Sequence, residues 1–191
     1  MKMKSQTKKF QPIYRGLVVF DLDGVLADFE GAFCEAFGYD NRELYSLEGR
    51  YPDQADTVSE WCREPENYVD LMPIFGGLLY LRQALEAGFY VVVMTARDPK
   101  LRTVTELWMN RYNIRPHSLE FSADKLQTTF TMSETLGLRL IMFVDDSIRN
   151  LKEIASVYPE EITLAWEQPW NAGWYPRAWY DPDRLAVIVE K

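Results

Sequence analysis

The sequence predicts an α/β fold built on a doubly wound parallel sheet, because short apolar runs alternate along the chain with stretches of helical periodicity. Several of the runs are continuously apolar, as expected for strands that helices cover on both faces. With 191 residues, the chain fits one core domain with a small insertion. The predicted strands are 17–20, 90–94, 119–121, 140–144 and 162–166.

The stretches between the predicted strands carry helix signals. The first predicted helix has leucines at helical spacing: Leu78, Leu81 and Leu85. Gly88 is well placed to end that helix. Asp98, an N-cap residue followed by a proline, begins the next one, whose apolar stripe includes Trp108. Two further helices are predicted, one after Lys125 and one over residues 147–157.

Two acidic residues, Asp21 and Asp23, directly follow the first predicted strand and precede Gly24. Along an extended backbone, residues i and i+2 point the same way, so both carboxylates are expected at the carboxyl end of the strand. Two unit charges about 4 Å apart repel by roughly 4 kcal/mol at an effective dielectric constant near 20. A hard cation with oxygen ligands would remove this repulsion, and an aspartate beside it can act as a nucleophile toward phosphorus.

Polar residues also follow three of the later strands. Each group alone is weak evidence, because polar residues commonly begin loops. Together, a threonine, a lysine and an acidic pair in this order after the first acidic pair form a strong signal of one shared site. These residues are Thr95, Ala96 and Arg97, then Lys125, then Asp145 and Asp146.

Alternative roles remain open for some of these residues. Asp145 and Asp146 could instead be N-terminal acids of the following helix. Lys100 or Arg97 could supply the positive charge in place of Lys125. Arg97 could contact either a phosphate or a surface acid.

Residues 29–73 interrupt the alternation of strands and helices, because they contain no convincing strand and many aromatic residues. We predict a small, mainly helical cap over 29–73, inserted after the first strand of a core formed by 1–28 and 74–191. Most of the aromatic residues are expected to pack the cap's own core. Phe29 lies nearest the acidic pair and is the one expected to contact a ligand. The aromatic residues are Phe29, Phe33, Phe37, Tyr39, Tyr45, Tyr51, Trp61 and Tyr68.

Composition excludes several classes of function. The formal net charge of −8 argues against sequence-independent binding to duplex nucleic acid, and no apolar run reaches membrane-spanning length. Cys34 and Cys62 have neither the number nor the spacing of a disulfide framework or a zinc site, which favours a cytoplasmic protein. His117 is the only histidine, and its place beside a proline indicates a passive surface role.

The order and residue types of these motifs resemble the haloacid dehalogenase-like phosphohydrolase superfamily over residues 16–165. The resemblance implies a Rossmann-like core in which Asp21 attacks phosphorus and Asp23 is the general acid and base. It also implies Mg²⁺ as the cofactor, held by Asp21, the backbone carbonyl of Asp23, Asp145 and Asp146.

The same resemblance assigns the remaining residues to substrate binding and charge neutralisation. The Thr95 hydroxyl and the neighbouring amides of Ala96 and Arg97 would hold phosphoryl oxygens. Lys125 would offset the charge on the nucleophile and on the phosphoryl group.

Within the superfamily, residues 21–29 resemble the 5'(3')-deoxyribonucleotidase branch, and the short cap and residues 168–171 are compatible with it. This implies a nucleoside monophosphate as substrate, with cap aromatics such as Phe29 against the base. A polynucleotide 3'-phosphatase or another small-metabolite phosphatase would use the same machinery. A non-catalytic domain that binds phosphate or Mg²⁺ is the rival of another class, although binding alone needs no general acid such as Asp23.

The aromatic stretch 166–180 has two interpretations. It could form a platform for a nucleobase. We favour instead a stretch that folds back to cover the sheet or forms the contact of a homodimer.

Overall fold

The computed structural model describes residues 13–38, 51–174 and 176–190. Parts of the predictions therefore lie outside the described residues. These are residues 1–12 of the predicted core, Tyr39 and Tyr45 of the predicted cap, and Tyr175 of the aromatic stretch.

The centre of the fold is a seven-stranded sheet in the order β3-β2-β1-β4-β5-β6-β7. All neighbouring strands pair in parallel except β6 and β7, which are antiparallel. The strands are β1 (Leu17–Asp21), β2 (Tyr90–Thr95), β3 (Ser118–Phe121), β4 (Leu140–Asp145), β5 (Thr163–Trp166), β6 (Arg177–Asp181) and β7 (Ala186–Glu190). The predicted α/β class is confirmed.

Local chemistry stabilises the termini of some of the helices. The predicted N-cap Asp98 accepts a hydrogen bond from the Lys100 backbone at 2.9 Å, and a short 3-10 turn leads from there into α5. Gly137, with φ of +63°, ends α6. The helices are α1 (Phe29–Phe37), α2 (Ala55–Trp61), α3 (Glu66–Val69), α4 (Phe75–Glu86), α5 (Arg102–Arg111), α6 (Lys125–Leu136) and α7 (Ile148–Ala155). None of them combines the length and the apolar character needed to cross a bilayer.

Both faces of the sheet are covered by helices, which explains the continuous apolar character of the strands. Val18 and Phe20 of β1 pack in the cluster that contains Leu81 of α4 and Trp108 of α5. Leu17 and Val19 point to the opposite face, toward the cluster that includes α7 residues. Every residue of β1 is buried, so the strand forms the centre of the core.

Of the two roles favoured for the aromatic stretch 166–180, folding back over the sheet is wrong, and the contact of a homodimer stays a prediction. The stretch does not fold over the sheet, because its second half forms β6, which extends the sheet beyond β5 and pairs with β7. Of its aromatic residues, Trp166 is buried at the end of β5 and Trp170 lines the cavity described below.

Residues 29–73 leave and rejoin the core at one place. The Asp28 amide donates to the Met72 carbonyl at 2.8 Å, and the Ile74 amide donates to the Leu26 carbonyl at 2.8 Å. Between these points, Phe33, Tyr51 and Val58 form a small hydrophobic cluster of their own. The division of the chain into cap and core stays a prediction. The helices within 29–73 lie above the carboxyl edge of the sheet, where they line the site.

Candidate active site

The parallel strands bring the predicted residues to one edge of the sheet. Asp21, Thr95 and Asp145 are the last residues of β1, β2 and β4, which are neighbours in the sheet. Lys125 is the first residue of α6, whose N-terminus Asp124 caps through the Gln127 amide. Polar side chains from distant parts of the sequence are therefore gathered at the carboxyl ends of adjacent strands.

Three carboxylates form a buried cluster at this edge. Oxygen atoms of Asp21, Asp145 and Asp146 all lie within 4.8 Å of one another, and the three residues are 6%, 0% and 4% exposed. The Lys125 ammonium contacts two of them, at 2.7 Å from Asp21 Oδ1 and 2.8 Å from Asp145 Oδ2. One buried cation thus faces three buried carboxylates, which leaves an excess of negative charge.

Burial and the excess negative charge shift the pKa values of Asp21, Asp146 and Lys125. Burial, followed by the charge of Asp145, raises the pKa of Asp21 from 3.8 to about 7, although Lys125 opposes the shift. Burial, followed by the charges of Asp21 and Asp145, also raises the pKa of Asp146 well above its ordinary value. For Lys125, burial favours the neutral amine, but the adjacent carboxylates outweigh it and raise the pKa.

The cluster fits a hard divalent cation. Asp146 Oδ1 is buried and has no hydrogen-bond partner among the described residues, which leaves an oxygen for a cation to bind. Asp145 is held more fully, because its carboxylate accepts from the Ser147 amide at 2.8 Å and from Asn150 Nδ2 at 3.1 Å. Asp21 and Asp146 are therefore the side chains best placed as ligands, with Asp145 also within reach.

Asp23 does not join the acidic cluster. The strand ends at Asp21, and Asp23 lines the same cavity as Asp21 without joining the cluster of three carboxylates. Arg97 instead holds Asp23 with two hydrogen bonds, from Nε at 2.7 Å and from Nη2 at 2.5 Å. Arg97 also donates to Thr105 at 3.0 Å and lies 4.4 Å from the centre of the Tyr68 ring. Of the two roles left open for Arg97, the structure places it on an acid, and that acid belongs to the site.

Thr95 and Ala96 occupy the turn between the cluster and Arg97. Thr95 is fully buried, and its hydroxyl accepts from the Arg97 amide at 3.2 Å. Ala96 is exposed and lines the cavity, so its side of the turn is open to a ligand.

A cavity of about 660 Å³ opens over the cluster and separates it from the cap helices. Its volume lies within the range of roughly 300–1,000 Å³ that is typical of small-molecule sites. Phe29 and Tyr68 line it from the cap side and stack on each other, with ring centres 5.7 Å apart. Trp170, Arg63 and Arg149 complete an aromatic and cationic rim.

Sequence reasoning missed Asn150 and the role of residues 168–171. Asn150 lies in the first turn of α7, and the weak signal for it was an amide side chain placed to reach back toward the acidic pair. The compatibility of residues 168–171 with the deoxyribonucleotidase branch does not predict what they contact. In the structure their side chains contact both acidic loops.

Comparison with solved structures finds haloacid dehalogenase-like hydrolases. A protein of that description from Streptococcus pneumoniae has a TM-score of 0.55 at 15% identity, covering 80% of this chain and 84% of its own. The L-2-haloacid dehalogenase of Xanthobacter autotrophicus, with chloropropionic acid covalently bound, gives 0.53 at 13%, covering 79% and 77%. CbbY of Rhodobacter sphaeroides, in complex with phosphate, gives 0.50 at 16%, covering 79% and 85%.

No protein-family model matches the sequence, and no curated protein matches it at a significant level. At the identities above, structural similarity establishes the fold alone. The chain therefore has the fold of haloacid dehalogenase-like hydrolases.

Proposed function

We propose that the protein is a Mg²⁺-dependent phosphomonoesterase that works through a phosphoaspartate on Asp21. The observation that carries the proposal is the buried cluster of Asp21, Asp145 and Asp146, in which Lys125 neutralises only part of the charge. A structural role gives no reason to keep three buried carboxylates together, because their mutual repulsion is unfavourable. A site for a cation and a phosphoryl group does.

Asp21 is positioned for nucleophilic attack. Its Oδ1 accepts from the Leu22 amide at 2.7 Å and from Lys125, so we expect Oδ2 to form the bond to phosphorus. As that bond forms, the bond between phosphorus and the leaving oxygen breaks, and Asp23 gives its proton to the leaving oxygen. In the second step, Asp23 takes a proton from water, which attacks phosphorus and releases Asp21 and inorganic phosphate.

The other site residues orient these groups and offset charge. Lys125 keeps positive charge beside Asp21 as the phosphoryl group approaches. The Thr95 hydroxyl and the Ala96 amide lie at the end of β2, where phosphoryl oxygens would be bound. Arg97 orients the Asp23 carboxylate, and its two bonds suit the step in which Asp23 acts as a base.

Asp21, Asp146 and the backbone carbonyl of Asp23 would hold Mg²⁺, with Asp145 within reach of the same position. Bound there, Mg²⁺ supplies positive charge that offsets the charge of the phosphoryl oxygens.

A nucleoside monophosphate is the substrate class that the cavity suits best. Phe29 and Tyr68 offer aromatic surface on the cap side, and Trp170 offers a further ring at the rim. Stacking of a base on an aromatic ring contributes about 1–3 kcal/mol and tolerates base identity. Arg63 and Arg149 also line the cavity, and Arg149 is paired with Glu153 at 3.0 Å.

The rival activities make different demands on the site. A dehalogenase expels halide, which leaves as an anion and needs no proton from an acid such as Asp23. A polynucleotide 3'-phosphatase would share the chemistry but would need to admit a strand end between cap and core. A regulatory domain would bind phosphate or Mg²⁺ without turnover.

The proposed function is tested by measuring release of inorganic phosphate or halide from a substrate panel, with and without Mg²⁺. The panel contains nucleoside 5'- and 3'-monophosphates, p-nitrophenyl phosphate, a 3'-phosphorylated oligonucleotide and 2-chloropropionate. We expect Mg²⁺-dependent release of phosphate, fastest from a mononucleotide, and none after Asp21→Asn. Absence of turnover on every phosphomonoester, or turnover that survives Asp21→Asn, contradicts the proposal.

A further inference from the structure

The connection between β5 and β6 contains a compact turn, residues 168–171, which we call the 168–171 turn. It closes on itself, because the Gln168 amide donates to Asn171 Oδ1 at 2.9 Å and the Asn171 amide donates to the Gln168 carbonyl at 3.2 Å. Asn171 is only 3% exposed. These internal hydrogen bonds give the turn a defined shape, so its side chains can hold the groups that they contact in fixed positions.

The side chains of the 168–171 turn bind both loops that carry the acidic residues. Asn171 Nδ2 donates to the Asp146 carbonyl at 2.9 Å and to the Trp166 carbonyl at 2.8 Å. Trp170 Nε1 donates to the same Asp146 carbonyl at 3.1 Å. Gln168 Nε2 donates to the Gly24 carbonyl at 2.9 Å, across 144 positions of the sequence. The turn thus links the loop after β1 to the loop after β4.

Gly24 and the Asp146 carboxylate lie in direct contact. A Cβ on Gly24, whose φ is +78°, would lie 2.4 Å from Asp146 Oδ2, so the contact depends on the missing side chain. Gly24 thus supports the carboxylate of Asp146 while the 168–171 turn holds its carbonyl. The same carboxylate carries the buried Oδ1 that has no partner among the described residues.

A restraint on Asp146 is needed because the neighbouring charges oppose its position. Carboxylate oxygens of Asp21 and Asp145 lie within 4.8 Å of an oxygen of Asp146, and Lys125 contacts those two residues and not Asp146. Two hydrogen bonds on one carbonyl, together with the support of Gly24, hold the loop in place against that repulsion. The Asp146 oxygen is thereby kept close to Asp21 before any cation binds.

We propose that the 168–171 turn positions the divalent-cation site, and that Asn171 is the positioning residue that sets Asp146 against Asp21. The inference rests on the proposed function, since it concerns the cation that the cluster is proposed to bind. Mg²⁺ demands near-ideal octahedral geometry at about 2.0–2.1 Å, whereas Ca²⁺ tolerates longer and more variable distances. A turn that fixes the spacing of two carboxylates therefore favours Mg²⁺ over Ca²⁺.

The test is titration of the metal-free full-length protein with Mg²⁺ and with Ca²⁺ by isothermal calorimetry. Loss of groups that orient metal ligands typically weakens binding by about 10–100-fold. We expect Asn171→Ala to weaken Mg²⁺ binding by roughly tenfold or more and Ca²⁺ binding by less, so that selectivity falls. Trp170→Phe, which removes one of the two donors to the Asp146 carbonyl, should have a smaller effect in the same direction.

Trp174→Phe is the matched control. Trp174 follows the same turn, but its buried indole N–H has no hydrogen-bond partner among the described residues. Removal of the Trp174 indole N–H should leave the Mg²⁺ and Ca²⁺ affinities within about twofold of the wild-type values, unlike removal of the Asn171 or Trp170 donor.

The outcomes separate this inference from the proposed function. If Asn171→Ala does not fold, Trp170→Phe and Gln168→Met decide the question. Unchanged Mg²⁺ affinity in folded variants overturns the inference, as does equal weakening for Mg²⁺ and Ca²⁺, which would indicate a general loss of structure. If the wild-type protein binds no Mg²⁺, both the inference and the proposed function fail.

Discussion

Asp21→Asn should stabilise the metal-free protein while it abolishes turnover. The cause lies in the acidic cluster, where burial and Asp145 raise the pKa of Asp21 from 3.8 to about 7. A rise of that size corresponds to roughly 4 kcal/mol of unfavourable free energy for the ionised carboxylate in the folded state. An asparagine has nearly the same shape and carries no charge, so it avoids that cost.

The substitution also removes a favourable contact, which reduces the gain. Lys125 loses its partner at Asp21 but keeps Asp145 at 2.8 Å, so its charge remains paired. We therefore expect the free energy of unfolding to rise by roughly 1–3 kcal/mol, which for a chain of this size corresponds to roughly 2–4 °C in Tm for each kcal/mol.

The assay is thermal unfolding at pH 7.5 in the presence of a chelator and again with excess Mg²⁺. Wild-type protein should gain more stability from Mg²⁺ than the variant, because only the wild-type cluster has the full charge that the cation neutralises. Asp23→Asn is the control, since Asp23 is paired with Arg97 outside the cluster, and it should not raise the metal-free Tm. A lower metal-free Tm for Asp21→Asn would show that the carboxylate is stabilising in place and would refute the reasoning.

Three further predictions concern pH, the general acid and the cap. Because the pKa of Asp21 is raised in the folded, metal-free protein, the proton on Asp21 stabilises the fold fully below about pH 4, and this stabilisation is lost as the pH rises to about 7. When the pH falls from 7.5 to 5, the Tm of the wild type should therefore rise more than the Tm of Asp21→Asn. Equal rises would contradict the raised pKa of Asp21. Asp23→Asn should lower kcat by about 100-fold or more while Mg²⁺ affinity changes much less, and parallel losses would mean that Asp23 serves only the cation. Phe29→Ala should raise KM roughly tenfold for nucleotides and much less for p-nitrophenyl phosphate, whereas equal rises would mean that Phe29 only packs the cap.

Much of the core could be predicted from the sequence because its signals are local. Buried parallel strands are continuously apolar, and each such run ends where polar residues begin, so the ends of β1, β2 and β4 could be placed within a residue or two. Parallel pairing then brings those ends to one edge without further information. The convergence of Asp21 and Asp145 follows from this rule.

The parts that could not be predicted depend on contacts between distant residues. Strand β6 has only three residues, Ala178, Trp179 and Tyr180, between a charged residue at each end, so it carries no long continuous apolar signal. The pairing of Arg97 with Asp23 joins residues 74 positions apart, and both lie in loops after strand ends, where no periodic pattern predicts side-chain contacts. The contacts of the 168–171 turn with Gly24 and Asp146 join residues far apart in sequence, and nothing in their spacing indicates them.

The most direct test of the central claim is a crystal structure of the protein with Mn²⁺ and fluoroberyllate, which mimics a phosphoryl group bound to a carboxylate. The account predicts an anomalous peak for the cation bonded to Asp21 and Asp146, and beryllium bonded to the remaining oxygen of Asp21, with the Thr95 hydroxyl in contact with a fluoride. A cation bound away from these carboxylates, or beryllium on any other side chain, would contradict it.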